Sequence, residues 1–281
     1  MNVSIVGASG FVGRHLASAL AARGDTVTPV SLRDPEVAAR ACADADAVVN
    51  LAGEPVAQRW TPEVKKKIRS SRVDVPAALI AGLGKLEKRP KAYVSASAVG
   101  YYGRSETATF DETSAPGDDF LAGICVAWEA TADQASALGM RVAKVRTGLV
   151  LGPDGGALAK LLPLFKLGAG GIVASGRQWY SWIAIDDLTG IYLHAIDRAD
   201  GALNASAPNP VTNAAFTRAL GSALHRLTIF PAPAFAVQAV LGEAALISTE
   251  GQRVLPKRTL ETGYAFAYPE IDGALGALLK R

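Results

Sequence analysis

The sequence predicts an α/β fold in which a doubly wound parallel sheet is followed by a smaller C-terminal lobe. Through the first half of the 281 residues, short apolar runs alternate with longer segments of helical spacing. Such alternation is typical of a parallel sheet with helices on both faces. A glycine-rich turn joins the first apolar run to the first helical segment. The composition, 49% hydrophobic and 20% charged, supports a large folded core.

The individual strands follow from short apolar runs bounded by turn residues. We predict strands at Val3–Val6, Thr26–Val30, Ala47–Leu51, Ala92–Ser97 and Val142–Leu149. Helical spacing places the intervening helices near 11–23, 35–43, 62–84 and 120–138. The long segment between Ala98 and Asp119 is rich in Gly, Ser, Thr, Asp and Pro, which is typical of a functional loop.

The pattern loosens after residue 150, where glycine-rich stretches interrupt the chain at 152–156 and 168–171. We therefore predict a first domain at 1–150, with strands that return to its sheet from about 172–206. The rest, 151–281, is predicted to form a smaller substrate-side lobe that includes an appended region at 228–281.

Charge and cysteine content exclude several kinds of partner. The net charge of +3 is small and scattered, and the basic run at 65–67 is predicted to be the solvent-exposed side of a helix. We therefore expect no nucleic-acid partner. Cys42 and Cys125 lie far apart without histidines nearby, so neither a disulfide framework nor a metal site is expected.

The ends of the chain bear on its location in the cell. It opens on a strand-like run, which leaves no room for a signal peptide. The most apolar late stretch, 235–247, is shorter than a membrane span and contains Glu243. We therefore expect a cytoplasmic protein that does not enter a membrane.

The glycine-rich turn is the main functional signal. It has the spacing G-x-x-G-x-x-G, directly between a predicted strand and a predicted helix. Glycines allow a tight turn and let the backbone approach a pyrophosphate, which the helix N-terminus then binds. We therefore predict a Rossmann-type dinucleotide site; the alternative is a plain tight turn. The predicted cofactor contacts here are Gly7, Ser9, Gly10, Phe11, Val12 and Gly13.

The end of the second strand predicts which dinucleotide binds. An acidic residue there favours NAD, whereas a basic residue accommodates the 2′-phosphate of NADP. Ser31 and Arg33 follow the strand, and no acid lies at its tip. We therefore predict NADP(H), contacted by Ser31 and Arg33. Two observations leave alternatives open: Asp34 comes next, and Arg33 could simply be solvated in a loop.

With these residues in view, the chain resembles the extended short-chain dehydrogenase/reductase superfamily. More narrowly, it resembles the atypical "epimerase family" branch, described as sugar-nucleotide epimerase-like. Besides the glycine turn, the motifs that carry the resemblance lie at 50–55, 59–60, 68–72, 95–103, 146–151, 176–182, 185–187 and 251–256. The resemblance implies that Leu51, Ala52 and Gly53 line the adenosine and ribose of the cofactor; the alternative is a plain turn at the end of the strand. It also implies that 251–256 belongs to the appended domain of this branch.

The resemblance further implies a catalytic tyrosine, a lysine four residues later, and a serine that polarises the substrate oxygen. Ser97 matches the serine, with Ser95 or Ala98 as alternatives for that slot. The tyrosine slot holds Leu121 and the lysine slot holds Cys125. Neither can perform ordinary acid–base chemistry. We predict that Cys125 is a buried small hydrophobic residue rather than a reactive thiol.

Another group must therefore donate the proton in any reaction. We predict Ser97 and Tyr102 as catalytic residues, with Tyr101 or Glu54 as alternative donors. Each of these three donors could instead be a packing aromatic or a helix-capping acid.

The predicted substrate contacts combine charged and aromatic side chains: Glu54, Trp60, Arg177 and Trp182. Guanidinium and indole groups suit an anionic or ring-bearing small molecule. Trp182, or its neighbour Trp179, could instead belong to the core of the second lobe.

Two functions compete at this point. The first is an NADP(H)-dependent oxidoreductase or epimerase-like enzyme with a non-standard proton donor. The second is a catalytically silent dinucleotide-binding regulator or scaffold, which the missing tyrosine and lysine would allow. A role in cell or organelle division, a label that some relatives carry, is implied by the resemblance alone.

Overall fold

The computed structural model describes residues 1–228 and 230–280. Up to residue 147, the elements in chain order are β1 (Asn2–Val6), α1 (Phe11–Ala22), β2 (Thr26–Val30), α2 (Pro35–Ala41), β3 (Ala47–Asn50), α3 (Pro62–Arg72), α4 (Asp74–Gly84), β4 (Ala92–Ala98), β5 (Thr109–Phe110), α5 (Phe120–Asp133) and β6 (Arg141–Thr147). Beyond it follow β7 (Leu149–Gly152), α6 (Gly156–Lys166), β8 (Trp179–Tyr180), β9 (Trp182–Ala184), α7 (Ile185–Asp197), β10 (Gly201–Ala205), β11 (Val211–Thr212), α8 (Asn213–Ala223), α9 (Ala234–Leu241), α10 (Leu246–Thr249), β12 (Arg253–Val254), α11 (Lys257–Glu261) and α12 (Ile271–Leu278). Short 3₁₀ helices lie at Val99–Tyr102, Gln134–Leu138 and Gly242–Ala245.

The main sheet has the strand order β10-β6-β4-β3-β1-β2, and every pair of neighbours is parallel. The order reverses beside β1, since β2 lies on one side of it and β3 on the other. Ligands of open α/β sheets bind at such a reversal, outside the carboxyl ends of the strands. The predicted fold class is confirmed. The strand β10, from the region predicted to return to the sheet, pairs with β6.

Both faces of the sheet are covered at its centre, where β1, β3 and β4 are mostly buried. On one face, Ile5 and Leu16 pack with side chains from α7, α8 and α12. On the other, Val48 and Tyr93 pack with side chains from α2, α4 and α5. The sheet is therefore rigid where its strand ends carry the candidate site.

Two predicted elements are interrupted. The helix predicted near 62–84 is two helices, because Pro76 cannot donate a backbone hydrogen bond and its ring would collide with the carbonyl of Arg72. The strand predicted at Val142–Leu149 divides at Gly148. Its amide still bonds to Ala205 in the main sheet, at 2.9 Å, whereas Leu149 begins β7, which pairs with β9. A Cβ at Gly148 would overlap the carbonyl oxygen of Ser181.

The C-terminal region is attached to the loop that follows β4. Strand β12 pairs with β5, so that Arg253 lies opposite Thr109. Glu112 of this loop accepts hydrogen bonds from the amides of Asn204, Arg258 and Thr259 at 2.9, 3.0 and 3.2 Å. Within residues 1–228 and 230–280, no helix is long and apolar enough to cross a membrane.

Candidate cofactor cleft and active site

The glycine turn is shaped by close backbone approaches at its two ends. Gly7 has φ +84°, a conformation that favours glycine, and a Cβ there would lie 3.2 Å from the amide nitrogen of Ala52. At Gly13, a Cβ would overlap the carbonyl oxygen of Gly7 and lie 2.8 Å from the Cα of Ala8. These two glycines therefore let β1, α1 and the end of β3 meet without an intervening side chain.

Gly10, in the middle of the turn, is exposed and opens onto free space. A Cβ there would have only the carbonyl oxygen of Gly7 nearby, at 3.2 Å, and its φ of −70° suits any residue. Among the described residues, no side chain caps α1, so the first amides of this helix keep their donors free. Exposed Ser9 lies beside them. The turn thus fits the pyrophosphate of a dinucleotide, whose charge a helix N-terminus favours.

Phe11 and Val12 are half-buried and begin α1. A Cβ at Gly155 would overlap the Phe11 ring, which packs on the turn after β7. The His15 Nε2 lies 3.1 Å from the Asp154 Oδ1 and fastens the same turn to α1. The Phe11 side chain therefore holds the helix against this turn, and only the backbone of Phe11 is available to contact a phosphate.

At the end of β2, Ser31 and Arg33 are exposed, and the Ser31 Oγ accepts a 3.4 Å hydrogen bond from the Arg33 amide. Asp34 is the N-cap of α2, where its Oδ1 accepts hydrogen bonds from the amides of Glu36 and Val37 at 2.9 and 3.1 Å. The Asp34 carboxylate is therefore engaged by its own helix, and a cationic and a hydroxyl side chain remain at the strand tip.

The end of β3 has a neighbour that sequence reasoning did not select. Leu51 and Ala52 are half-buried and Gly53 is exposed. A Cβ at Gly53 would lie 3.0 Å from the guanidinium carbon of Arg72. The missing side chain at Gly53 therefore makes room for Arg72. The signal in the sequence was the motif at 68–72, which ends on this basic residue.

Glu54 and Trp60 lie in the loop between β3 and α3, and both are half-buried. The Glu54 Oε1 accepts a 2.9 Å hydrogen bond from the Gln58 side chain. The Trp60 indole donates to the Val56 carbonyl at 2.9 Å, and its ring lies 5.2 Å from the Phe120 ring. This loop therefore stands beside the start of α5.

A buried polar network occupies the ends of β4 and β6. Ser97 is 3% exposed, and its hydroxyl donates to the Glu129 Oε1 at 2.7 Å. Arg146 binds the same carboxylate with two hydrogen bonds, from Nε at 2.7 Å and from Nη2 at 2.8 Å. Such a paired geometry is strong because both groups are charged and hydrogen-bonded.

Tyr102 extends this network toward β10. Its hydroxyl accepts from the Arg146 Nη1 at 2.8 Å and donates to the Asn204 Oδ1 at 2.7 Å. Burial raises the pKa of Tyr102 to about 12, although Arg146 acts in the opposite direction. In the folded protein, Tyr102 is therefore a neutral phenol whose proton is already shared with Asn204.

Tyr101 differs from its neighbour. The guanidinium carbon of Arg146 lies over the half-buried Tyr101 ring, 3.5 Å from the ring centroid. Among the described residues, none forms a hydrogen bond with the Tyr101 hydroxyl. Of the two tyrosines, only Tyr101 therefore has a hydroxyl that the protein leaves unused.

The sequence analysis missed Glu129, Arg146 and Asn204 as members of the site. The motif at 146–151, which begins with this basic residue at the end of β6, was the available signal for Arg146. The prediction that Cys125 is buried is confirmed, since it is 4% exposed. Burial, followed by the Glu129 charge, raises the pKa of its thiol to about 12. The lysine slot therefore holds a neutral group.

The two remaining candidates lie in the second half of the chain. Arg177 is exposed at the surface, with its Nε 3.3 Å from the Glu106 carboxylate. Trp182 is fully buried in the core, where its indole donates to the Asn209 carbonyl at 3.1 Å. The structure thus places Trp182 in the core role that the sequence left open. In the described part of the chain, no cluster of His, Cys, Asp or Glu is arranged to hold a metal ion.

Comparison with known families covers most of the chain. Residues 3–207 match the NAD dependent epimerase/dehydratase family. Residues 232–278 match a domain of unknown function, DUF1731, and fall inside the appended region predicted at 228–281.

The chain is similar over nearly its full length to proteins of other organisms. It is 42% identical over 290 residues to the human epimerase family protein SDR39U1, covering 98% of each chain. It is 41% identical over 303 residues to the chloroplastic SDR39U1 homolog of Arabidopsis thaliana, covering 100% of this chain and 87% of the homolog.

Solved structures agree with this assignment. The crystal structure of human epimerase family protein SDR39U1 (isoform 2) with NADPH has a TM-score of 0.91 and 38% identity, covering 100% of this chain and 99% of the other. The UDP-glucose 4-epimerase of Thermotoga maritima, at 17% identity and a TM-score of 0.81, covers 100% of this chain and 98% of that one and shares the fold. The chain therefore belongs to the NAD dependent epimerase/dehydratase family, in the group of its members that carry the appended C-terminal domain.

Proposed function

We propose that this chain binds NADP(H) across the carboxyl ends of β1, β2 and β3 and acts as an oxidoreductase or epimerase-like enzyme. The observation that carries the proposal is the open turn at Gly10, in front of an uncapped helix. Ser31 and Arg33 are free to meet a 2′-phosphate, because Asp34 is engaged in capping α2. The human relative whose crystal structure holds NADPH supports the same cofactor.

The bound cofactor would accept or supply a hydride, and the chain would have to move the proton. Ser97 and Tyr102 are the catalytic residues that the sequence predicts. Their contacts favour a division of labour in which both hold Arg146 and Glu129 in place. Tyr101, whose hydroxyl is free beside the Arg146 charge, is then the proton donor that we propose.

A catalytically silent binding protein is the second candidate. One observation favours it: the hydroxyls of Ser97 and Tyr102 already donate to protein groups, so neither offers its proton to a substrate without rearrangement. Leu121 and Cys125 supply no replacement.

The cofactor proposal is tested by titrating the purified protein with NADPH and NADH and following fluorescence or heat. We expect tighter binding of NADPH. Arg33→Ala should weaken NADPH by about 10-fold, the loss of one charge-assisted hydrogen bond, and leave NADH unchanged. Equal affinities for the two cofactors would contradict the choice of NADP(H).

Catalysis is tested by screening carbonyl compounds and sugar nucleotides for turnover with NADPH. With a substrate in hand, Tyr101→Phe should lower turnover on the order of 10²-fold to 10⁴-fold, the usual loss for a positioned proton donor. Cofactor affinity should hardly change. Cys125→Ser is the control, since its neutral thiol takes no part. Full activity of Tyr101→Phe would transfer the role to Glu54, and no turnover of any compound would favour the silent binding protein.

We also propose a small ring-bearing ligand, met by Glu54 and Trp60 on the loop beside α5, and no nucleic-acid partner. An anionic ligand is not proposed, because Arg177 is exposed and pairs with Glu106, and Glu54 is itself negatively charged. A cytoplasmic location is the prediction from sequence. The Arabidopsis thaliana relative is named as chloroplastic, so the compartment needs a direct test. Imaging of a fluorescent fusion in the source cell would decide it.

A further inference from the structure

Arg72 closes α3 and turns its side chain over the end of β3. A Cβ at Gly53 would lie 3.0 Å from both its Cζ and its Nη2. On the other side, the guanidinium carbon lies 5.0 Å from the centroid of the Trp128 ring, which belongs to α5. The guanidinium is thus held between the predicted cofactor wall and α5, the helix on which Leu121 and Cys125 occupy the tyrosine and lysine slots.

The protein uses only part of this guanidinium. The Nη1 donates to the carbonyl oxygens of Glu54 at 2.9 Å and Ile68 at 3.3 Å, and to the Ser71 hydroxyl at 3.4 Å. All three acceptors are neutral. Within the described ranges, the Nε and Nη2 of Arg72 make no hydrogen bond, and no carboxylate forms an ion pair with it. Both nitrogens reach the solvent-accessible surface, so a ligand can approach them.

Trp128 shows the same shortage of acceptors. It is 6% exposed, and its indole N–H is buried without a hydrogen-bond partner in the described structure. Buried donors nearly always find a partner. The Arg72 guanidinium, with two nitrogens that donate no hydrogen bond, therefore lies beside the Trp128 indole, whose N–H also lacks an acceptor. Oxygen acceptors from a ligand would satisfy these donors.

We propose that Arg72 anchors the bound dinucleotide, donating from Nε and Nη2 to oxygens of its pyrophosphate or of its second, nicotinamide-bearing ribose. Arg72 would thereby supply the positive charge that the lysine slot, filled by Cys125, does not. A guanidinium fork suits paired oxygen acceptors, and it stays charged in a half-buried position where a lysine could lose its proton. This inference rests on the proposed cofactor and adds a residue to its site.

The test compares Arg72→Met and Arg72→Lys with the unmodified protein in NADPH titrations without substrate. Arg72→Met should weaken NADPH about 10-fold to 100-fold, the loss of a charged hydrogen-bonding group, and Arg72→Lys should weaken it less. Adenosine 2′,5′-bisphosphate, which lacks the pyrophosphate and the second ribose, should bind both variants as it binds the parent. The matched control is Arg69→Met on the same helix, because Arg69 is exposed and lies 3.8 Å from Asp74.

A second ligand separates the two oxygen sources. ADP-ribose 2′-phosphate has both the pyrophosphate and the second ribose, whereas 2′-phospho-ADP has the pyrophosphate alone. Weakened binding of both by Arg72→Met assigns the contact to the pyrophosphate, and weakened binding of the first alone assigns it to the ribose.

Gly53→Ala gives an independent measurement, because the new Cβ would displace the guanidinium without removing its charge. It too should weaken NADPH while thermal unfolding shows a folded protein. If the unmodified protein fails to bind NADPH, the proposed function is wrong. If it binds, and folded Arg72→Met and Gly53→Ala both bind equally well, the role assigned to Arg72 is wrong.

Discussion

Two regions of the molecule differ in how fully the protein satisfies their hydrogen-bonding groups. They are the glycine turn at Gly7–Gly13 and the polar network around Arg146. The turn leaves its helix uncapped and a free space over Gly10. In the network, by contrast, Ser97, Glu129, Arg146 and Tyr102 bond to one another and, through Tyr102, to Asn204. The turn needs a ligand to complete its hydrogen bonds, whereas the network is complete without one.

This difference separates binding from chemistry. A region that lacks acceptors for its amides gains free energy when an anion arrives. A region whose charges are already paired gives up existing bonds when it contacts a substrate. In this chain the tyrosine and lysine slots hold Leu121 and Cys125. The Tyr101 hydroxyl, which forms no hydrogen bond with the described residues, is the proton donor that we propose.

The largest effect is expected from breaking the network. Glu129→Leu leaves the buried Arg146 charge without its partner, which should lower the free energy of unfolding by about 3–5 kcal/mol. The control is Asp133→Asn on the same helix, where the exposed pair with Lys144 should contribute about 0–1 kcal/mol. Equilibrium denaturation in urea measures both. A loss of only about 0–1 kcal/mol for Glu129→Leu, as small as that of an exposed pair, would show that the network does not stabilise the fold.

Substitution in the middle of the glycine turn should change stability less than Glu129→Leu does, but it should abolish NADPH binding. Gly10→Val should place its side chain in the open space over the turn and abolish NADPH binding, while unfolding stays close to that of the parent. Gly13→Ala should instead destabilise the protein, because its Cβ would overlap the Gly7 carbonyl oxygen. Calorimetric titration and thermal melts measure the two effects. Normal NADPH binding by folded Gly10→Val would mean that the turn does not hold the phosphates.

The smallest effect is expected at the end of β2. Asp34→Ala removes the cap of α2 and should cost about 1 kcal/mol of stability. The ratio of NADPH to NADH affinity should stay the same, since the carboxylate is already bound to the amides of Glu36 and Val37. A marked shift of that ratio toward NADPH would show instead that Asp34 reaches the cofactor.

The sequence was most informative where function depends on local backbone geometry. The turn at Gly7–Gly13 lies between its strand and helix as expected, because glycine spacing and apolar periodicity are both local signals. The end of the helix at Arg72 could also have been derived, since Pro76 lies four residues on.

The sequence did not predict which side chains from distant parts of the chain pair with one another. Glu129 and Arg146 are 17 residues apart on different elements, and nothing in their spacing predicts that one carboxylate holds both Arg146 and Ser97. Trp182 illustrates the same limit in the opposite direction. A tryptophan in a motif is compatible with a ligand face or with the core, and only the packing of β9 decides between them.

The Glu112 carboxylate has a consequence for the order in which this protein can be completed during synthesis. Its partners Asn204, Arg258 and Thr259 follow 92, 146 and 147 residues later in the chain. While a ribosome is still producing the last helices, the loop after β4 has a carboxylate without most of its donors. A chain that ended before residue 253 would have lost β12 as well, leaving β5 unpaired. The appended region thus supplies the last contacts that the fold needs. Prematurely terminated chains should therefore be degraded by cellular proteases and should not accumulate as partly active proteins.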